Sequence, residues 1–274
     1  MSAPSLTTSQ SLPPQGCALR ICTRSPMARS GSIGALYQSA CYNSFALNPP
    51  EKAGLGPSKK MFNLAPSVLI SRLIILVIAF TIHEFSHAKV ADLLGDGTPR
   101  MAGRLTLNPL AHLDLMGTLM LLLMGFGWAK PVPVNPGALR RRTPAGLMLT
   151  SLAGPSSNLV LAALGAIPIR LGLASAFDPS VGILPSLGGF LLEFVYINVA
   201  LFLFNLLPFS PLDGGSVLEF LVPPQWLPFL DGFRRFSPYL LIFAFIIGPR
   251  LGFDLFGLIL RQPITALTRG LLGI

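Results

Sequence analysis

Apolar residues run almost unbroken from Pro66 to Ile82, with Arg72 as the single charge and no glycine. The run ends in the polar string HEFSH at 83–87. A bilayer core is crossed by about 20 apolar residues in a helix, so this stretch with its polar turn is long enough. The pattern predicts a helix over 66–93, stopped by Gly95, Asp96 and Gly97. Further apolar segments fall at about 114–127, 145–172, 184–207 and 237–260, with an amphipathic stretch around 216–235. The segment at 114–127 is short for a full span and reads as tilted or re-entrant. Between the first two, residues 98–113 contain GRLTLNPL at 103–110, whose alternation and proline suit an ordered loop or short strand. Prolines at 131, 133 and 136 forbid a helix or an interior strand, which leaves an extended or edge-strand segment. Arg140, Arg141 and Arg142 then mark a water-facing loop. The expected architecture is an all-α polytopic membrane protein. It has five to six membrane-embedded helices and a small extended or re-entrant β segment near its polar motif.

Composition agrees with that pattern. Of 274 residues, 51% are hydrophobic and only 11% charged, against about 25% charged in soluble domains. The formal net charge is +9. Its basic residues are spread over short loops, which suits anionic lipid headgroups and not nucleic acid. Residues 1–60 are of another kind. They are rich in Ser, Pro, Ala and Gly, hold six basic residues and one acid (Glu51), and show no sustained apolar period. They read as a disordered extension. An organelle transit peptide is an alternative from the Arg/Ser bias, and a start of translation at Met61 is another. All three cysteines, Cys17, Cys22 and Cys41, lie in this extension, so the apolar body has no disulfide or thiolate metal site available. The remaining 61–274 form one integral-membrane domain.

HEFSH fits the zinc motif HExxH, in which His83 and His87 share one helix face and Glu84 sits beside them. Buried in an apolar helix, two imidazoles and a carboxylate need partners or a cavity. A catalytic zinc takes three protein ligands and keeps a fourth position open. Two candidates exist for the third ligand. His112 is the only other histidine, in a loop where capping or exposure is an equal reading. Asp213 is the better candidate: it is the only acid between Glu193 and Glu219, amid prolines and glycines that unwind the backbone. Unwound backbone at membrane depth lines sites and does not face lipid. An ordinary turn is the competing reading of the same string.

HEFSH on an apolar helix, AGPSSN at 153–158 and NLLPFSPLDGG at 205–215 resemble the site-2 protease family of intramembrane zinc metalloproteases. GRLTLNPL at 103–110 and AKPVPVNP at 129–136 extend the resemblance, which matches the compact prokaryotic branch without PDZ or CBS domains. It covers 61–274 and implies that His83, His87 and Asp213 bind one zinc ion per chain, with Glu84 as catalytic base. Asn158 matches a family asparagine expected near the active site, where it would orient substrate or an oxyanion. Interhelical hydrogen bonding is its competing role. Asn205 is expected to shape the break before Pro208. Phe209 and Ser210 stand where relatives often have Ile-Pro, outside the ligand positions. The implied activity is hydrolysis of peptide bonds in or near transmembrane segments of membrane or membrane-anchored proteins, in a bacterial cell membrane. The Pro-rich segment offers an edge for an extended substrate strand. The rival reading is a divalent-metal or proton transporter using the same residues, which predicts carboxylates spread along a pathway.

Overall fold

A computed structural model of the chain describes residues 66–114, 116–117, 129–174, 185–252 and 254–273. The expected extension at 1–60 and most of the 114–127 segment lie outside these residues. The elements are α1 (Pro66–Leu93), a single turn α2 (Thr98–Met101), α3 (Pro136–Arg142), α4 (Gly146–Arg170), α5 (Leu187–Asn205), α6 (Asp213–Leu221), α7 (Leu227–Ile242) and α8 (Leu255–Leu272). Short 3₁₀ turns sit at Pro109–Ala111 and Pro224–Trp226.

Three helices, α1, α4 and α5, are long and apolar enough to cross a membrane. Among the described residues these three are the candidate spans, and the expected count of five to six is not reached there. They hide only 28%, 33% and 22% of their most apolar windows inside the protein, so most of their apolar surface faces outward, as lipid contact requires. Leu69, Leu73, Ile74 and Ile78 on α1 and Val160, Leu164 and Ile167 on α4 are among those outward side chains. Polar residues in α1 are reconciled with it locally. The hydroxyls of Ser71, Thr81 and Ser86 each donate to the carbonyl four residues back. Arg72 pairs at 3.3 Å with Glu193 of α5.

Helix α1 ends where its glycine predicts. Gly95 takes the left-handed conformation (φ 88°), its N–H donates to the Asp92 carbonyl at 3.0 Å, and the Asp96 N–H reaches the Ala91 carbonyl at 2.9 Å. Helix α4 is the centre of the bundle, packed against α1, α5, α6 and α8. Its inner face is built of small residues, which lets neighbouring backbones approach. Gly165 makes room for the ring of Phe194 on α5, since a Cβ there would lie 2.7 Å from the ring. Ala162 and Ala166 of α4, Val195 and Val199 of α5, and Ile264 and Leu272 of α8 form the buried cluster beyond it.

Two expectations change. The apolar stretch at 237–260 is divided: α7 passes into a π turn, Phe243–Ile247, then a 3₁₀ turn, Gly248–Leu251, before α8 begins at Leu255. Pro249 has no N–H to continue a helix and Gly252 adopts φ 85°, so the chain turns within the apolar run. The Pro-rich segment is extended as expected, but no sheet forms among the described residues. The only bridge there is an isolated antiparallel one between Leu113 and Ala129.

Candidate metal centre

His83 and His87 lie one turn apart near the C-terminal end of α1, with rings edge-to-face and centroids 4.6 Å apart. Both are buried. Each ring is held from behind by α4: His83 Nδ1 is 2.6 Å from Asn158 Oδ1, and His87 Nδ1 is 2.7 Å from the Thr150 carbonyl. A carbonyl oxygen only accepts, so His87 carries a proton on Nδ1, and in the neutral form that binds a metal it keeps the Nε2 lone pair. Asn158 in turn donates through Nδ2 to Asn198 Oδ1 at 3.1 Å, which leaves Oδ1 as the acceptor for His83. Both Nε2 lone pairs therefore face the same point, 3.0 Å apart.

Asp213 comes from the N-terminal end of α6, which packs on α4. Helix α5 ends at Asn205, whose Nδ2 donates to the Leu201 carbonyl at 2.9 Å. The chain then unwinds through Pro208 and Pro211 before α6 restarts at Asp213. Gly214 permits this restart, because a Cβ there would run into the carbonyl oxygens of Leu206 and Leu207. The far end of α6 is fixed by Glu219, which binds Arg140 of α3 and Arg234 of α7 at 2.8 Å each. The Asp213 oxygens stand 3.2 Å from His83 Nε2 and 3.4 Å from His87 Nε2.

With both imidazoles neutral at Nε2, two lone pairs and a carboxylate pressed together repel unless a cation, a metal ion or a shared proton, lies between them. Ligand atoms at about 2.0–2.1 Å from a tetrahedral zinc lie about 3.3 Å from one another. The observed edges of 3.0, 3.2 and 3.4 Å fit that figure. Among the described residues, His83, His87 and Asp213 are the one group of three such side chains able to hold a metal ion. His112 does not join it. That ring is fully buried and its Nε2 donates to the Thr106 carbonyl at 2.8 Å.

Glu84 points towards the Pro-rich segment, and its Oε2 accepts the Val132 N–H at 3.2 Å. The segment is tied down on both sides. Lys130 donates its N–H to the His112 carbonyl at 2.8 Å, and the buried Arg104 donates to the carbonyls of Ala111 and Lys130. Beyond Val132, the Asn135 N–H reaches Asp96 Oδ2 at 2.6 Å, while Asp96 Oδ1 takes the Thr98 N–H at 3.0 Å. Burial alone would raise the Asp96 carboxyl, but these bonds hold it below the usual carboxylate range.

Three further contributors were not singled out from the residues alone. Thr150 acts through its backbone, which leaves no trace in residue type. Gly154 matters because a Cβ there would lie 2.6 Å from His83 Nε2 and closer still to His87. Its signal was only its place in AGPSSN. Asn198 was visible as an amide within the apolar segment 184–207, where a polar side chain needs a reason.

No protein-family model matches the chain, and no solved structure does. Curated proteins do. Over 162 residues, 59% of this chain and 72% of the relative, it is 46% identical to "Putative zinc metalloprotease YwhC" of Bacillus subtilis (strain 168). It is 34% identical over 191 residues to "Putative zinc metalloprotease Rip2" of Mycolicibacterium smegmatis, covering 65% of this chain and 68% of the relative. Its identity to the protein of the same name from Mycobacterium tuberculosis (strain H37Rv) is 31% over 186 residues, covering 67% and 69%. With that identity over more than two thirds of its relatives, and a His–His–Asp group of zinc dimensions, the chain belongs to the site-2 protease family of zinc metalloproteases.

Proposed function

We propose that this chain is an intramembrane endopeptidase, cleaving peptide bonds within or near transmembrane segments of membrane proteins. The observation that carries this reading is the convergence of three metal donors, two of them on α1, a helix long and apolar enough to cross a membrane. His83 and His87 lie ten and six residues before Leu93, roughly 10–15 Å inside the end of α1 at about 1.5 Å per residue. His83 Nε2, His87 Nε2 and one Asp213 oxygen would hold a single zinc. When bound, that ion supplies an acidified water and polarisation of the scissile carbonyl. Glu84 accepts a proton from the attacking water on one carboxylate oxygen and passes it to the leaving amine. The Val132 N–H on Oε2 orients the carboxylate and leaves its second oxygen for the proton.

Asn158 is fully buried with both ends of its amide engaged. This supports a role in holding His83 and not one in contacting substrate or an oxyanion. The segment at 131–136 would receive an extended substrate, a reading supported by the Val132 N–H that it gives to Glu84. Its prolines leave N–H groups only at 132, 134 and 135, and those of Val132 and Asn135 are taken by Glu84 and Asp96. A substrate strand would therefore pair chiefly with carbonyls. Replacing Val132 and Val134 with alanine is expected to lower cleavage with zinc content unchanged. Unaltered cleavage would remove this segment from substrate binding.

The test of the mechanism is Glu84→Gln in the purified full chain with a membrane-protein substrate. Zinc per chain should stay at the wild-type level, while cleavage falls by about 10²–10⁴-fold, the span of general-base contributions. Full proteolysis by that variant would overturn the mechanism. Transport is disfavoured by the other acids of the apolar helices: Asp92 pairs with Arg100 at 2.6 Å and Glu193 with Arg72. Neither continues a path from the central group. Zinc flux into liposomes carrying the protein would reverse that judgement.

A further inference from the structure

A polar thread crosses three apolar helices behind the metal group. On α5, Asn198 Nδ2 donates to the Phe194 carbonyl at 2.9 Å. Asn198 Oδ1 accepts from Asn158 Nδ2 on α4 at 3.1 Å, and Asn158 Oδ1 faces His83 Nδ1 on α1 at 2.6 Å. Both asparagines are 0% exposed, so bulk water does not reach their amides.

The thread has a direction imposed at its start. The Phe194 carbonyl can only accept, so Asn198 must turn its NH₂ towards it and its oxygen towards Asn158. Asn158 must then donate to Asn198 and present its own oxygen to His83. His83 carries its proton on Nδ1 and keeps the Nε2 lone pair that faces His87 and Asp213. Without an acceptor at 198, the Asn158 amide is free to rotate and donate Nδ2–H to His83 Nδ1. That moves the ring proton to Nε2, where it blocks the metal position. Simple interhelical glue would be satisfied by either orientation. This arrangement is satisfied by one.

We infer that Asn198 is a positioning residue for the metal centre. It acts through Asn158 to hold His83 in the tautomer that binds zinc. The inference rests on the reading of His83 as a zinc ligand.

The experiment measures zinc release from the purified, zinc-loaded full chain to an excess of chelator, with ¹⁵N NMR of the imidazoles after the metal is removed. Partners behind a metal-bound histidine are worth about 10–100-fold in affinity. Asn198→Leu should therefore speed zinc loss by about that factor, and its metal-free spectrum should show His83 protonated partly on Nε2. A second background separates polarity from packing. With Asn158→Asp, a carboxylate faces His83 as an acceptor whatever stands at 198. Adding Asn198→Leu there should change zinc release by no more than about twofold, the scatter of independent substitutions. Equal acceleration in both backgrounds would make Asn198 a packing residue and overturn the inference. So would wild-type zinc release in Asn198→Leu while His83→Ala loses its zinc. If His83→Ala holds zinc as the wild type does, the ligand reading itself fails and the inference with it.

Discussion

Gly154 stands where the two imidazoles need empty space, so the smallest possible addition tests the site. Gly154→Ala should cost most of the bound zinc, because its Cβ would meet His83 Nε2 at 2.6 Å and the helix backbone cannot retreat. Zinc per chain by atomic emission checks this, with Ala153→Gly one position earlier as a control that keeps its metal. The contrast shows what single residues disclose. His83 and His87 are legible from spacing alone, since four residues return to the same helix face. Asp213 is legible because prolines and glycines mark its surroundings as unwound. The requirement at 154 arises from how closely α4 approaches α1, and nothing in the neighbouring residues encodes that distance. Asn158 shows the other half of the problem: its importance could be read, while its partner could not.

Segments follow their own rules, and here the polar loops do the positioning. Asp96 ties the Pro-rich segment to the end of α1 through the Asn135 N–H. Asp96→Ala would leave two backbone donors without their acceptor, at a cost of about 1–3 kcal/mol each where they stay buried. Limited proteolysis should then cut first within 129–136, and cleavage of substrate should fall with zinc retained. The linkage has a definite sign. The folded carboxyl lies below its unfolded value near 4. Its contribution is therefore complete above that value and is lost as pH falls through the folded one. The tether should be indifferent to pH between about 5 and 8 in the same proteolysis assay. The long helices were legible almost to their ends, because length, apolarity and Gly95 act locally. The division of 237–260 was less so. Apolar content alone does not distinguish one span from two pieces meeting at a turn, and Gly248, Pro249 and Gly252 were the available clue.

At the scale of the molecule, α4 is the shared wall: it supplies the partners behind both histidines and also touches α5, α6 and α8. The long apolar helices were legible from composition and pattern. The assembly around α4 depends on pairings distant along the chain, and no local pattern announces them. One consequence concerns alignment. His87 meets residue 150 of α4 and His83 meets residue 158, with Gly154 between them, so the two helices run antiparallel with acceptor, gap and acceptor spaced in fours. Shifting α4 by one turn, about 5.4 Å, would place either Ala162 or Gly154 opposite His83, with no side chain to receive its proton. The gap would then be filled by Asn158 or Thr150. HExxH thus works as a vernier mark for the bundle, and two apolar helices that could otherwise slide past each other have one setting that reads true.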